Sequence, residues 1–574
     1  MPRDEKATRR GGLSHPVSAG RTTAELLAAR AEDPHTGLLF GDRRYSWARI
    51  VAEGRRRAVL ALALRRGGPF HIGVLLDNTP EYLFWLVASA LAGAVAVGIN
   101  PTRRGAQLAS DIRHVDCQLI ITDGAHRQLL DGLDTGVASD RVLEVGRDRY
   151  RGLLAEHDGA ARLDVDINPA MPMLLLFTSG STGAPKAVIC GQGRFARSAE
   201  YMTGRLGLGR DDVAYNAMPM FHGNALMASW APMLAVGGTW ALRERFSASG
   251  FLPDVRRFGA TYANYVGRAL AYILATPERS DDADNPLRLV YGTEAADRDL
   301  VEFPRRFGCR CIEGYGSSEG PIAIGKVSGT PPGALGLPTT QADVAVVDPD
   351  TGVECPRVRF GPGGEIANPA AIGELVRRDS GFVFEGYYRN PAATAQRIRD
   401  GWYWSGDLGY RDNAGYFYFA GRGNDWLRVD SENFAAAPVE HILARSPGVL
   451  VVAVYPVPDP RTGDQVMAAI ELEPGARFDP AEFDAFLAEQ PDLGTKWSPR
   501  FVRVVGRMPL TPTNKLDKKP LRAQAWECAD PVWWRPSRAA PLVRITEAEQ
   551  AVLGTAFTAN GRTHLLPRAS DPSA

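Results

Sequence analysis

A loop rich in hydroxyl groups and glycine lies between two apolar runs at residues 174–189, with the sequence LLLFTSGSTGAPKAVI. Glycine lets backbone N–H groups turn toward an anion without an obstructing Cβ, and hydroxyl and ammonium groups add donors. The residues that could bind phosphate are Thr178, Ser179, Gly180, Ser181, Thr182, Gly183 and Lys186. A P-loop needs G-x-x-x-x-G-K-[ST] before a helix, whereas here Ala187 follows the lysine and a strand-like run resumes. The pattern therefore indicates a phosphate-binding loop between two strands, rather than a P-loop or a flexible linker.

Four further polar motifs follow the loop in order: YGSSE at 315–319, YWSGDLGY at 403–410, FAGRGND at 419–425 and PLTPTNKLDKKPL at 509–521. Together with the loop they resemble the signature of the adenylate-forming superfamily, which contains acyl-CoA synthetases, peptide-synthetase adenylation domains and luciferases. The resemblance covers roughly residues 20–535. It implies that a carboxylate attacks the α-phosphate of ATP, that pyrophosphate leaves, and that the CoA thiol then takes the acyl group from acyl-AMP. ATP, Mg²⁺ and CoA are therefore expected.

The resemblance also implies roles for individual side chains. Lys515, Glu319 and Thr178 are the predicted catalytic residues: the lysine stabilises charge as the carboxylate attacks, the glutamate binds Mg²⁺, and the threonine begins the phosphate loop. The expected nucleotide contacts outside that loop are Gly292, Thr293, Glu294, Tyr315, Ser318, Asp407 and Arg422. Residue type alone leaves other interpretations open. Glu319 is also compatible with a solvated glutamate and Tyr315 with a core residue. Asp407 is also compatible with a turn, and Arg422 with a surface ion pair.

Lysine usage supports the same assignment without the resemblance. Only 7 of the 66 basic residues are lysine, and four of these lie in the first and last motifs: Lys186, Lys515, Lys518 and Lys519. A compact ammonium on a flexible stem can reach a phosphate oxygen and a carbonyl oxygen together, where a planar guanidinium fits poorly. The distribution indicates that these positions require lysine.

A methionine-rich stretch, AMPMFHGNALMASWAPM at 217–233, is similar to the superfamily's acyl-site motif around an aromatic–histidine pair. Methionine adapts to irregular apolar shapes, although a core helix would use it too. His222 would then lie at the mouth of the acyl pocket, with a core histidine as the alternative. Residues 261–276 resemble a segment of fatty-acid transport proteins and very-long-chain acyl-CoA synthetases, which implies that Tyr265 and Gly267 line that pocket. A bulky hydrophobic acid is favoured, because this segment has no Asp or Lys to pair a substrate amine.

The expected CoA loop contains Ser431, Glu432 and Asn433. Two positions depart from the superfamily pattern, since Asn514 and Ser431 replace the glycines usual there. A side chain at 431 could slow thioester formation, because the loop approaches CoA in that step.

Alternating strand-like and helical runs up to about residue 420 must position these motifs. The predicted fold is α/β, with a large N-terminal domain of layered subdomains and a small β-barrel-like part, followed by a small mobile α+β domain. The predicted boundaries are a polar tail at 1–20, the AMP-binding domain at 21–423, the C-terminal domain at 424–535 and a polar tail at 536–574. Asn424 is the expected hinge, so domain closure must deliver Lys515 to the loop.

Composition agrees with a large intracellular enzyme. The formal net charge is zero, with 66 basic and 66 acidic residues, which excludes an electrostatic reason for nucleic-acid binding. Six irregularly spaced cysteines favour a reducing compartment, and no secretory signal is visible, so a cytoplasmic location is expected. The apolar run at 82–99 predicts a buried helix followed by a strand rather than a membrane span. Peripheral membrane contact and a homodimer are left open.

These observations favour an ATP-dependent, AMP-forming acyl-CoA ligase for a long-chain or bulky hydrophobic acid. A steroid side-chain carboxylate is an alternative substrate for the same reaction. Two other readings are open: an acyl-AMP ligase that serves a carrier protein, and a non-catalytic lipid-binding or uptake protein that kept the fold.

Overall fold

A computed structural model describes residues 20–157, 163–178, 186–267, 269–361, 366–379, 384–422, 426–429, 432–461, 463–491, 493–494, 496–511, 515–538, 540–560 and 562–567. The α-helices among them are α1 (Thr23–Ala28), α2 (Trp47–Ala63), α3 (Pro80–Ala92), α4 (Gly105–His114), α5 (Gly124–Arg127), α6 (Asp148–Glu156), α7 (Gln192–Leu206), α8 (Ala231–Val236), α9 (Phe251–Phe258), α10 (Ala269–Leu274), α11 (Asp297–Phe307), α12 (Pro391–Arg397), α13 (Ala436–Leu443), α14 (Pro480–Ala488), α15 (Lys518–Gln524) and α16 (Glu547–Ala559). A π-helical segment, Asn224–Trp230, leads into α8.

The strands of the described residues are β1 (Thr36–Phe40), β2 (Arg43–Ser46), β3 (His71–Leu75), β4 (Val95–Gly98), β5 (Cys117–Thr122), β6 (Val142–Glu144), β7 (Pro172–Thr178), β8 (Lys186–Gly191), β9 (Val213–Asn216), β10 (Thr239–Leu242), β11 (Tyr262–Asn264), β12 (Leu289–Gly292), β13 (Arg310–Tyr315), β14 (Ile324–Gly325), β15 (Ala334–Pro338), β16 (Val344–Val347), β17 (Gly373–Arg377), β18 (Ile398–Arg399), β19 (Trp402–Arg411), β20 (Phe417–Arg422), β21 (Trp426–Val429), β22 (Glu432–Ala435), β23 (Val449–Pro458), β24 (Asp464–Leu472), β25 (Phe501–Val505), β26 (Val532–Trp534) and β27 (Val543–Arg544).

Sheet topology confirms the predicted α/β layering of a large N-terminal domain. One sheet has the order β6-β5-β3-β4-β7-β8, and a second runs β16-β17-β19-β20-β15-β14-β13-β12-β11-β9-β10-β1-β2, with β18 beside β19. Neighbouring strands in the set β3 to β7 are parallel to each other, and so are neighbouring strands in the set β9 to β13. Parallel strands are normally covered on both faces, and β3 and β4 are buried at every position. Strands β14 to β20 pair antiparallel and form the β-rich part of this domain.

The hairpin of β7 and β8 holds the two ends of the predicted phosphate loop. The strands pair antiparallel, and their register brings Thr178 opposite Lys186. Residues 179–185 between them lie outside the described residues. The loop therefore starts and ends at a paired threonine and lysine, as the sequence predicts.

Helix α3 and strand β4 confirm the interpretation of the apolar run near residue 82. Pro80 occupies the first turn, the Thr79 hydroxyl caps the helix by accepting from the Tyr82 N–H, and Gly93 ends it in the left-handed conformation at φ 63°. Nearly every residue of α3 is buried, because the helix packs on α2 and beneath the sheet. No helix of the described part of the chain is long and apolar enough to cross a bilayer.

The smaller C-terminal domain contains the hairpin β21-β22 and a sheet of order β23-β24-β25-β26-β27. Its apolar cores lie on both faces of that sheet. Helices α13 and α14 contribute apolar side chains to the core on one face of this sheet.

The sequence predicts a polar tail at 536–574, but the central part of this segment is folded. Residues 543–544 add β27 to the sheet, and α16 begins at a capping box formed by Thr546 and Glu549. Phe557 of this helix is fully buried beside Trp526. Leu553 and Phe557, four residues apart, place an apolar stripe against the domain, so the segment folds despite its polar composition.

Candidate active site

A cavity of about 2170 Å³ lies between the large domain and the C-terminal domain. Single-ligand sites usually measure ~300–1,000 Å³, so this cavity has room for more than one substrate group. The predicted site residues that line it are Thr178, Lys186, His222, Gly267, Gly292, Thr293, Glu294, Tyr315, Ser318, Glu319, Asp407 and Lys515. The structure thus brings together residues that are up to 337 positions apart in the chain, from Thr178 to Lys515.

Several predicted residues cannot be placed in the cavity. Ser179, Gly180, Ser181, Thr182 and Gly183 of the phosphate loop lie outside the described residues, as do the expected hinge Asn424 and the CoA-loop residue Ser431. Backbone positions alone are described for Arg422, Glu432 and Asn433. The β19–β20 register places Arg422 opposite Asp407, which is where a contact to the same nucleotide is expected.

Tyr315, at the end of β13, forms a hydrogen-bonded pair with Asp407, which lies within β19. The Tyr315 hydroxyl donates to Asp407 Oδ2 over 2.7 Å. Burial and the neighbouring carboxylate raise the pKa of Tyr315, so the phenol keeps its proton and can donate it in this hydrogen bond. The tyrosine therefore orients the carboxylate of Asp407, so two of the expected nucleotide contacts are joined directly.

Glu319 belongs to a buried network that the sequence interpretation missed. The Tyr387 hydroxyl donates to Glu319 Oε1 over 2.7 Å and accepts from Arg397 Nε over 3.2 Å. The Lys186 ammonium lies 5.8 Å from the Tyr387 ring centroid. Burial and the Arg397 charge lower the pKa of Lys186. Tyr387 and Arg397 carry no motif of their own, and only the fold brings them to Glu319.

The donor set near Glu319 fits Mg²⁺ that is held jointly by protein and nucleotide. The described residues contain no group of three or more His, Cys, Asp or Glu side chains that could hold a metal ion alone. Mg²⁺ typically binds one or two carboxylates together with substrate phosphates and waters. Glu319, at the wall that also contains Thr178 and Lys186, supplies such a carboxylate.

The loop after β12 is fixed in a strained conformation. Glu294 has φ 70°, in the left-handed region that non-glycine residues rarely adopt. The loop is tied at two points, since the Gly267 N–H donates to the Thr293 carbonyl and the Ala295 N–H donates to Glu313 Oε1. Burial raises the pKa of Glu313, the acceptor that the sequence interpretation did not identify. These contacts hold the Glu294 side chain at the cavity wall.

Tyr265, predicted to line the acyl pocket, does not line the main cavity but lines the small pocket that Met218 also borders. Tyr265 is 3% exposed and packs in an apolar cluster with Phe251 and Phe303, behind the cavity wall. Its hydroxyl donates to Glu313 Oε1 over 3.2 Å. Gly267, two residues later, does line the cavity.

Lys515 reaches the cavity from the C-terminal domain. Its ammonium lies 2.6 Å from Glu294 Oε1. Two further contacts join the domains, from Arg298 to Glu473 at 3.2 Å and from the Tyr272 hydroxyl to Glu471 at 3.3 Å. In this arrangement, called closed below, Lys515 of the C-terminal domain lines the cavity of the large domain.

His222 stands at the apolar end of the cavity beside Phe221, with ring centroids 5.6 Å apart. Burial, together with the positive charge of Lys515, lowers the pKa of His222 to about 3. The imidazole is neutral at physiological pH and can form a wall or donate a hydrogen bond, but cannot provide a charge. The π-helical segment after it turns Asn224 and Met227 into the same cavity.

Met218 separates this apolar end from a second, almost closed pocket of about 10 Å³. The pocket is lined mainly by aromatic and aliphatic side chains, among them Phe246, Phe251 and Leu270. Met218 is thus the residue that the large cavity and this small pocket share.

Comparison with known protein families gives two matches along the chain. Residues 27–388 match the AMP-binding enzyme family, and residues 438–515 match the AMP-binding enzyme C-terminal domain. The large and small domains of the structure correspond to these two matches.

Curated proteins and solved structures also match this chain over nearly their whole lengths. The chain is 53% identical to a steroid-22-oyl-CoA synthetase of Rhodococcus jostii, with 95% of this chain and 99% of the relative covered. It is 48% identical to the medium/long-chain-fatty-acid–CoA ligase FadD17 of Mycobacterium tuberculosis, with 89% and 98% covered. The anthranilate CoA ligase AuaEII, solved with anthranoyl-AMP, superposes with a TM-score of 0.77 at 20% identity, covering 89% of this chain and 98% of that one. This last similarity concerns the fold alone.

Proposed function

The chain belongs to the AMP-binding enzyme family and is an AMP-forming acyl-CoA ligase for hydrophobic carboxylic acids, and from this premise we propose that its substrate is a steroid with a side-chain carboxylate. The observation that carries the proposal is the shape of the acyl end. The cavity that His222 lines measures about 2170 Å³, whereas the pocket behind Met218 measures only about 10 Å³, so the fold offers more space to a bulky acid than to a chain extended past Met218. The 53% identity to a steroid-22-oyl-CoA synthetase supports the same substrate class.

A medium- or long-chain fatty acid is the second candidate. The 48% identity to FadD17 ligases favours it. Such a chain needs Met218 to move and the pocket behind it to open. Methionine has a flexible side chain that permits such a movement.

The adenylation step follows from the closed arrangement. The substrate carboxylate attacks the α-phosphorus, and the bond to the bridging oxygen breaks with its electron pair on pyrophosphate. Lys515 would leave Glu294 for the developing charge on the carboxylate and α-phosphate, while Asp407, oriented by Tyr315, would bind the ribose. Glu319 would hold Mg²⁺, which neutralises charge on the β- and γ-phosphates when bound.

Thioester formation requires a different arrangement of the C-terminal domain. The CoA thiol attacks the acyl carbonyl carbon, loses its proton, and AMP leaves. Lys515 occupies the space beside Glu294 at the nucleotide, so we expect rotation about the predicted hinge at Asn424 to withdraw it first. Ser431, Glu432 and Asn433 would then approach CoA. The cytoplasmic location, peripheral membrane contact and homodimer stay predictions of the sequence.

A panel of acids tests the substrate. Acid-dependent exchange of labelled pyrophosphate into ATP and CoA thioester formation are measured with a C22 steroid carboxylate, a C16 fatty acid and benzoate. We expect the highest kcat/KM with the steroid acid. Higher kcat/KM with the C16 acid would replace the first candidate by the second, and exchange without thioester would favour a carrier-protein acceptor.

A further inference from the structure

Arg397 ends helix α12 and projects into the cavity at the wall that contains Glu319. Its guanidinium lies against Gly406 of the SGD motif, where a Cβ on the glycine would collide with Arg397 Nη1. Lys186, Glu319 and Asp407 line the same cavity. The guanidinium is thus fixed between the phosphate-loop lysine and the expected ribose site.

The hydrogen bonds of Arg397 go to uncharged oxygen atoms. Nε donates to the Tyr387 hydroxyl over 3.2 Å, and Nη1 donates to the Trp404 carbonyl over 3.3 Å. Other buried arginines hold a carboxylate directly, such as Arg306 with Asp282 at 2.6 Å and Arg57 with Glu81 at 2.6 Å. An arginine always keeps its charge, so Arg397 contributes positive potential that these two acceptors do not neutralise.

A second cation faces the same space. The Lys186 ammonium lies 5.8 Å from the centroid of the Tyr387 ring, and the hydroxyl of the same tyrosine accepts from Arg397 Nε, so both cations are next to Tyr387. Glu319 is the nearby carboxylate, and it is connected to Arg397 through the Tyr387 hydroxyl. Two cations and the carboxylate that would hold Mg²⁺ form a site for a highly charged anion, and the polyphosphate of ATP is such a ligand.

We propose that Arg397 is a further catalytic residue, which contacts the β- and γ-phosphoryl oxygens of ATP and stabilises the departing pyrophosphate together with Lys186. The inference rests on the ligase reaction and extends it to a residue outside the phosphate loop. As the bond between the α-phosphorus and the bridging oxygen breaks, negative charge grows on pyrophosphate, and a fixed guanidinium stabilises that charge without reorganisation. Tyr387 and Trp404 hold the guanidinium in place.

The alternative is that Arg397 acts only through Tyr387, by orienting Glu319. Two variants separate these roles. Arg397→Gln removes the charge, whereas Tyr387→Phe removes the link to Glu319 and leaves Arg397 with its bond to the Trp404 carbonyl. Arg378→Gln is the matched control, because Arg378 pairs with Asp343 and Glu354 and does not line the cavity.

The measurements are the inhibition constant of pyrophosphate, the rate of pyrophosphate exchange, and the rate of CoA thioester formation from supplied acyl-AMP. We expect Arg397→Gln to weaken pyrophosphate about 10-fold and to slow exchange ~100-fold, while thioester formation from acyl-AMP stays within about threefold. Arg397→Lys should recover part of the pyrophosphate affinity. Arg378→Gln should keep pyrophosphate affinity within about threefold, and Tyr387→Phe, which removes one of the two hydrogen bonds that hold the guanidinium, should weaken pyrophosphate less than Arg397→Gln does.

Unchanged pyrophosphate affinity in Arg397→Gln would overturn the proposal. Loss of affinity in Tyr387→Phe equal to that in Arg397→Gln would also overturn it, because the arginine would then act through the tyrosine. If Arg397→Gln does not fold, Arg397→Lys decides: pyrophosphate affinity weaker than in wild type and in Tyr387→Phe supports direct contact, and affinity equal to wild type contradicts it. An inactive wild-type enzyme with every acid would instead contradict the proposed substrate.

Discussion

Removal of the Lys515 ammonium should separate the two half-reactions. In the closed arrangement this group lies 2.6 Å from Glu294 Oε1, inside the cavity that contains the expected nucleotide contacts. Both side chains are partly exposed, at 33% and 44%, so their ion pair contributes at most about 1 kcal/mol to holding the domains closed. Lys515→Ala should therefore change the closed population by no more than about fivefold.

The effect on adenylation should be much larger. Loss of one preorganised group that stabilises developing charge typically costs ~10²–10³ in rate, or about 2.7–4 kcal/mol. We therefore expect Lys515→Ala to slow acid-dependent pyrophosphate exchange by this factor. Formation of the CoA thioester from supplied acyl-AMP should stay within about fivefold of wild type, since the lysine is withdrawn in that step.

The assay uses one preparation of each protein for both half-reactions. Exchange of labelled pyrophosphate reports adenylation, and single-turnover conversion of acyl-AMP with CoA reports the second step. Glu294→Gln is the matched control, because it removes the ion pair and keeps the lysine. Equal loss of both steps in Lys515→Ala would refute the reasoning, and so would a loss of exchange in Glu294→Gln as large as that in Lys515→Ala.

Three further outcomes are expected from the geometry of the cavity. Tyr315→Phe removes the hydroxyl that orients Asp407 and should raise the KM for ATP about tenfold, since a hydrogen bond to a charged group contributes ~1.5–3 kcal/mol; an unchanged KM would exclude this role. The pKa of His222 is lowered to about 3 in the folded protein, whereas the imidazole takes up a proton near pH 6.5 in the unfolded chain. The contribution of His222 to the free energy of unfolding is therefore present above pH 6.5 and is lost as the pH falls from 6.5 to 3. Urea titrations should accordingly show that His222→Gln loses less stability than wild type between pH 7 and 5, by up to about 2 kcal/mol, and equal losses would contradict the burial of this imidazole. Met218→Ala opens the pocket behind the acyl end and should raise the kcat/KM ratio of C16 fatty acid to steroid acid about tenfold or more, and an unchanged ratio would show that Met218 does not limit depth.

Local sequence was sufficient wherever a pattern of neighbouring residues fixes the structure. The phosphate loop was expected between two strands because apolar runs flank it, and β7 and β8 pair there. Helix α3 was expected because Pro80 and Gly93 mark its ends. The capping box of α16 was equally local, and its sequence signal was available but outweighed by the polar composition around it.

Side-chain direction was harder to predict than position along the chain. Tyr265 and Gly267 belong to one short segment, yet the tyrosine faces the core and the glycine faces the cavity. The face that a strand residue takes depends on which side of the sheet is covered, and this is decided by helices distant in sequence.

The sequence by itself determined the chemistry, since its ordered motifs contain the threonine, lysines, glutamate and aspartate that a phosphate site and a ribose site need. Only the tertiary structure decided which side chains meet. Lys515 contacts Glu294, which lies 221 residues away in the sequence. Tyr387 connects Glu319 to Arg397, although neither Tyr387 nor Arg397 belongs to a motif. Such contacts depend on strand order and on the closure of two domains, and these are fixed by burial over the whole chain rather than by any local pattern.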